Sequence, residues 1–313
     1  LALRAVFPTS TRFRPTPTVL EQQLFNALSL GCVDALFALG FTLVFGVLGV
    51  INLSHGAVFM LGSYVALLLV SHLEWPLWLA MLAAALTSGV TGLLIDWLVL
   101  RPLRAREAPH LIPMIATIGV TILITSLMQG FFGAEVQRFP FGIVPEDSFN
   151  FLLPWQTADS EPLHVTLLQL MIVFISFALM ALLLLIMRRT QIGRALRAIA
   201  ESPKAAYLLG IDVEGMFRLT SFVAAALGGI AGVLIGLSFN AISPFMGQPA
   251  LHKGIAVIIL GGMGDIRGAL IGGLFLGLVE VMSVAYLSSD YRDAVSFGLL
   301  FLILLVRPSG LFG

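Results

Sequence analysis

The stretch LFALGFTLVFGVLGVINLSHGAVFMLGSYVALLLV, residues 36–70, contains no Asp, Glu, Lys or Arg. It is too apolar and too long to lie on a water-facing surface, and it is interrupted once, where Gly49, Asn52, Ser54, His55 and Gly56 crowd together. A membrane-crossing helix needs about 20 apolar residues, because the hydrocarbon layer is ~30 Å thick and a helix rises ~1.5 Å per residue. The stretch therefore reads as two spans joined at a break. Working outward, helices are expected at 24–48, 56–72, 77–100, 111–133, 165–187, 217–240, 268–288 and 292–306, with a further apolar run at 251–264 too short to cross comfortably. This predicts an all-α, polytopic bundle of about eight spans, or nine with the short run, and broken or re-entrant segments near 49–56 and 251–268. Strands are excluded as spans because the alternation of a transmembrane barrel is absent.

Composition agrees. Of 313 residues, 58% are hydrophobic and 11% charged, and the mean hydropathy is +1.01; soluble domains carry roughly 25% charge. The net charge is zero, but the cations are clustered. Arg101, Arg104 and Arg106 occupy one connector; Arg188, Arg189, Arg194, Arg197 and Lys204 occupy another. Cytoplasmic connectors are enriched in Lys and Arg, so 101–110, 188–216 and the C-terminus beyond Arg307 are expected inside. The loop 134–164 holds Arg138 against Glu135, Glu146, Asp147, Asp159 and Glu161, and is expected outside. Residues 1–23 read as a mobile arm preceding one membrane domain, 24–313; Arg4, Arg12 and Arg14 suggest an inside N-terminus. The single cysteine, Cys32, excludes an internal disulfide and a cysteine metal cluster. No metal or cofactor is expected.

Two broken segments and one connector carry the functional signals. Unwound backbone at membrane depth is tolerated only where protein or a water-filled cavity satisfies it, so Asn52, His55 and Gly56 are candidates for a pathway or hinge, with a plain loop as the alternative. The second break, GGMGDIRGALIGG at 261–273, adds Gly261, Gly262, Gly264 and Gly268. Its Gly-x-Gly-Asp core also occurs in intramembrane aspartyl proteases, which need a second aspartate at equal depth; Asp34 and Asp96 fall near helix ends on this reading. No Gly-x-x-x-x-Gly-Lys-Ser/Thr phosphate loop occurs, so the chain does not hydrolyse ATP by that route. Small residues at helical spacing, Gly228, Gly232 and Gly236, point to close helix packing. Ionisable side chains inside spans are costly and rare; Glu280 is expected to face a polar cavity or a partner subunit, with pairing at an interhelical contact as the plain alternative.

The connector 188–216 predicts a docking element. Ser202 fits an N-cap, Pro203 the first helical turn and Gly210 a left-handed C-terminal cap, so a short helix should stand at 203–209. An amphipathic piece around Ala195–Ile199 should precede it. Arg188 and Arg189 suit lipid headgroups.

The segments GVINLSHGAVFMLGSY (49–64), GRALRAIAESPKAAYLLGI (193–211), LGGMGDIRGALIGG (260–273) and YLSSDYRDAVSFGLLFLILLVRPSGLFG (286–313), taken in order, resemble the inner-membrane permease of high-affinity branched-chain amino acid ABC importers. The resemblance covers 24–313. It implies a non-catalytic translocation subunit in a bacterial inner membrane. The partners would be a second related permease, two cytoplasmic ATP-binding subunits, a periplasmic substrate-binding protein, membrane lipid and a small-molecule substrate, with no nucleic acid. It also implies that Gly193, Arg194, Arg197, Glu201, Ser202, Pro203, Lys204 and Gly210 belong to a coupling connector, although Glu201-Ser202-Pro203 departs from the usual Glu-Ala-Ala motif. Related permeases for urea, short amides or another amino acid share these motifs. A secondary transporter would need coupling charges at mid-membrane, and the scarcity of such charges in the spans argues against it.

Overall fold

In the computed structural model the described residues are 17–109, 111–140, 142–143, 147–151, 162–262, 264–307 and 310. The helices run α1 (Pro17–Leu48), α2 (His55–Leu73), α3 (Leu77–Ile95), α4 (Arg101–Ala105), α5 (Leu111–Phe132), α6 (Leu167–Arg189), α7 (Gln191–Glu201), α8 (Pro203–Leu208), α9 (Val213–Phe239), α10 (Gly247–Gly261), α11 (Ile266–Tyr286) and α12 (Arg292–Val306). A π turn at Asp96–Leu100 makes α3 and α4 one continuous rod, and a 3-10 turn at Ser289–Tyr291 precedes α12. Among the described residues, seven helices are long and apolar enough to cross a membrane. The helix expected at 292–306 is present as α12, but its 15 residues reach only about 22 Å. The same length in α10 agrees with the expectation that the second broken segment cannot cross as helix alone.

α1 is the axis of the bundle. Every residue from Gly31 to Val44 is buried, which suits a helix apolar on all faces. α11 lies against it, where Gly277 meets the Gly31 backbone and Gly273 meets Ala35. α9 packs on α2 just as tightly: the space a Cβ would need on Gly232 holds the Phe59 carbonyl, and a Cβ on Gly62 would lie 2.5 Å from the Gly229 Cα. Small residues thus let backbones touch where lipid supplies no hydrophobic force between helices. α5 is the opposite case, with Leu111, Ile115, Ile122 and Phe131 exposed along a helix that buries chiefly Pro113 and Thr117.

Contacts sort the connections into two ends. At one end a hairpin of β1 (Ser148–Phe151) and β2 (Leu163–Thr166) precedes α6. The apolar run places the start of that helix at 165. The helix instead starts at Leu167 because Thr166 and Gln169 form a reciprocal capping box. The Gln22 side chain donates to the His164 carbonyl at 2.9 Å and accepts from its N–H at 3.0 Å, and Gln137 pairs with Ile242 across a β-bridge. At the other end Arg104 donates to Asp96 at 2.7 Å and to Glu214 at 3.4 Å, bringing the two basic connectors together. Gly264 approaches Gly46 there.

The start of α1 therefore lies at the hairpin end, opposite the basic connectors. Arg4, Arg12 and Arg14, from which an inside N-terminus was inferred, lie outside the described residues. The antiparallel packing of α1 on α11 and the clasp of Gln22 to His164 set the direction of α1 within the bundle. The helix also begins at Pro17 and not at 24, since Gln22 is held by the hairpin and needs no lipid. Much of the acidic loop, including Glu146, Asp159 and Glu161, and Met263 of the second break lie outside the described residues.

Candidate functional site

Both breaks fold back into the bundle. After α1 ends at Leu48 the chain turns through Gly49, at φ +68, and returns until His55 lies beside residues a third of the way back along α1. The His55 ring stacks on Phe41 at 5.6 Å and meets Phe37 at 4.8 Å, with Gly40 and Gly228 against its edge. It is 2% exposed, and its Nε2 has no hydrogen-bond partner among the described residues. Asn52 Oδ1 accepts from the Ser54 N–H at 3.1 Å and from its hydroxyl at 2.5 Å, closing the turn that starts α2. Leu53 is tied to α5 through Thr117 and Thr121. Gly56 abuts Gly247, so α2 and α10 both begin inside the bundle, and a small cavity opens between them, lined by Gly56, Thr121, Thr125 and Gln248.

In the second break Gly261 and Gly268 touch backbone to backbone, while Gly262 (φ +100) and Gly264 (φ +92) adopt turns that L side chains disfavour. Asp265 accepts from the Arg267 N–H at 2.8 Å as the N-cap of α11. This end of the bundle holds a cavity of about 370 Å³ lined by Gly46, Arg188, Arg197, Gly264, Asp265 and Arg267. Asp265 sits about two turns of α11 from Gly273, which packs on Ala35 beside Asp34. Asp96 is engaged by Arg104. The three aspartates therefore do not share a site, and the protease dyad has no geometric basis.

Asp34 corrects the sequence reading: it stands at the middle of α1, not near an end, and is 9% exposed. Across from it Lys253 of α10 donates to Glu280 of α11 at 2.6 Å, with Glu280 1% exposed. Asp34 acts electrostatically on Lys253, Glu280 and Arg292. Asp34 Oδ2, Glu280 Oε1 and Arg292 Nε have no hydrogen-bond partner among the described residues. The scarcity of charge noted in the sequence is real span by span, but four ionisable groups from four helices converge. Nothing local in the sequence signals this, because the partners are tens to hundreds of residues apart.

The connector folds as expected. Ser202 Oγ accepts from the Ala205 N–H at 3.3 Å, Pro203 opens α8 and Gly210 follows at φ +83. Before it Thr190 caps α7, and Gly193 is pressed against the last carbonyls of α6. Arg197 donates to the Met187 carbonyl. Leu196, Ile199 and Ala206 anchor α7 and α8 on the bundle, leaving Arg194, Glu201 and Lys204 exposed. Sequence reasoning missed the tip itself: Tyr207, Leu208 and Leu209 are 72%, 84% and 79% exposed. Their signal was three consecutive large residues just before a helix-ending glycine.

These features define the class, a multi-pass helical membrane protein with backbone breaks and buried charge inside its bundle and an apolar tip at one end. The family described as "Branched-chain amino acid transport system / permease component" matches residues 23–304, and the chain belongs to it. The high-affinity branched-chain amino acid transport system permease protein LivH of Salmonella typhimurium is 38% identical over 302 residues, covering 93% of this chain and 95% of its own. The corresponding permease protein BraD of Pseudomonas aeruginosa is 35% identical over 300 residues, covering 93% and 95%. LivM of Escherichia coli, also named a permease protein of such a system, is 25% identical over 318 residues, covering 94% of this chain and 71% of its own. No solved structure matches.

Proposed function

We propose that this chain is the translocation subunit of an ATP-binding-cassette importer that carries leucine, isoleucine and valine across a bacterial inner membrane. It pairs with a second, related permease, is driven by two cytoplasmic ATP-binding subunits and receives its substrate from a periplasmic binding protein. The observation that carries the reading is the tip Tyr207–Leu209, three large side chains held in solvent by a capped, anchored helix at the end of the bundle richest in arginine. Exposed apolar clusters on a rigid mount mark protein contact sites. That the chain resembles two permease proteins named within such systems, LivH and LivM, supports a pair of related permeases.

In this mechanism ATP-driven closure of the ATPase pair pulls on α7 and α8, and the two permeases rock between outward-facing and inward-facing states. The basic connectors and the C-terminus face the cytoplasm, and the hairpin end faces the periplasm. Gly193, Arg194, Arg197, Glu201, Ser202, Pro203, Lys204 and Gly210 build the mount that transmits the pull. Asn52, His55 and Gly56, together with Gly261, Gly262, Gly264 and Gly268, are the hinges on which half-length helices shift, and Glu280 faces the substrate path. The subunit itself performs no chemistry.

Uptake of labelled leucine into vesicles holding this chain and its partner subunits tests the reading: uptake requires ATP and the binding protein. Leucine movement by the purified chain alone overturns it. Leu208→Asp puts a charge into the tip's contact and is expected to lower uptake and stimulated ATP hydrolysis by about tenfold or more, as loss of one buried anchor does. The chain's detergent melting temperature should stay put, since Leu208 touches solvent in the isolated subunit. Unchanged ATPase stimulation removes the tip from the coupling role.

A further inference from the structure

At the hairpin end a cavity of about 290 Å³ lies between α1, α6, α9, α11 and α12. Its lining mixes polar Asn26, Ser29 and Gln169 with apolar Leu30, Phe239, Val281 and Val284. Glu280 and Arg292 also line it. Behind them stand Lys253, bonded to Glu280, and Asp34, which completes a set of two acids and two bases.

We propose that this cavity is a binding site for the zwitterionic head of an α-amino acid, through which substrate enters the permease from the hairpin end. The proposal rests on the transport reading and specifies where the cargo is first held. Glu280 has one oxygen committed to Lys253 and the other unpartnered, so it accepts a hydrogen bond from an incoming ammonium. Arg292, whose Nε is also without a partner, receives the carboxylate. Glu280 and Arg292 set groups of opposite charge on the cavity lining, which suits a dipolar solute. A carboxylate 1% exposed with an idle oxygen is costly in an apolar bundle, and burying it beside an arginine at the wall of a cavity is the arrangement a ligand would complete. Size agrees as well: ligand sites begin at roughly 300 Å³, and a cavity of about 290 Å³ suits one amino acid. Leu30, Phe239, Val281 and Val284 supply apolar contact for a branched aliphatic side chain.

The alternative is that the four charges only staple helices together. A thiol placed in the cavity by Val284→Cys separates the two. Cys32 is the chain's single cysteine and is wholly buried, so labelling of this chain by a membrane-impermeant thiol reagent reports the new position. In the assembled importer, leucine at ten times its dissociation constant should slow labelling by about tenfold, as mass action dictates. 4-Methylpentanoate, which lacks the ammonium, and 3-methylbutylamine, which lacks the carboxylate, should leave it unchanged, and adding Glu280→Gln should abolish the protection by leucine. Labelling indifferent to leucine overturns the proposal, and so does equal protection by either analogue. Ala285→Cys gives the same reading from the adjacent wall position should Val284→Cys not assemble. Leucine uptake by the unsubstituted importer is measured in parallel: its absence would sink the transport reading, whereas its presence without protection would sink this site alone.

Discussion

Gly232→Leu is expected to destroy the folded bundle. The Cβ alone would overlap the Phe59 carbonyl, and the Ser63 hydroxyl would lie 3.0 Å from it. Both obstacles belong to α2, whose neighbouring residues Gly62 and His55 are themselves in close contact with α9. A clash with a side chain is relieved by a rotamer change; a clash with a main-chain oxygen moves a helix. Overpacking costs typically 1–3 kcal/mol, and this case lies at or above the top of that range, against a total of about 5–15 kcal/mol. Expression followed by size-exclusion chromatography in mild detergent checks it, with aggregate expected in place of a single peak. Gly298→Leu is the control: nothing lies within 4 Å of a Cβ at that position on α12, and its peak should be unchanged. A normal peak for Gly232→Leu would mean that α2 and α9 are not packed as described.

Breaking the Lys253–Glu280 pair has the second large effect, and its asymmetry is the informative part. Glu280→Leu strands Lys253, but Asp34 still acts on that ammonium. Lys253→Met leaves Asp34 and Glu280 buried without the ammonium that acts on both. Removing one partner of a buried pair costs about 3–5 kcal/mol, so both variants should melt well below the parent, with Lys253→Met the worse. The double variant Lys253→Met, Glu280→Leu should recover part of the loss, because groups in one network are not additive. Thermal unfolding of the four proteins in one detergent gives the cycle. Strictly additive losses would show that the two side chains do not interact. Stability regained without leucine uptake regained would place Glu280 on the substrate path as well as in the scaffold.

Several elements were readable before any coordinates. Helices over 56–72, 111–133 and 292–306 match α2, α5 and α12 to within two residues, since apolar length and bounding polar residues report directly on burial of a backbone that must bond to itself. The cap residues of the connector, Ser202, Pro203 and Gly210, act as expected because capping is a matter of adjacent residues. The hairpin before α6 was missed: four-residue strands carry too little pattern to stand out. Tyr207–Leu209 was not singled out within the short helix, since exposure of a helix end depends on which side the anchors Leu196, Ile199 and Ala206 face.

Sequence alone determined that this is a polytopic helical membrane bundle with two breaks, because hydropathy and glycine placement act over one or two turns and need no partner. Tertiary structure decided the rest. It turned Asp34 from a helix-end residue into the centre of the bundle, gathered it with Lys253, Glu280 and Arg292, and set the start of α1 at the hairpin end. Which charges meet, and which end of a helix faces which way, depends on contacts between residues such as Gly31 and Gly277. Those contacts exist only once separate helices have packed, and no local pattern in the chain encodes them.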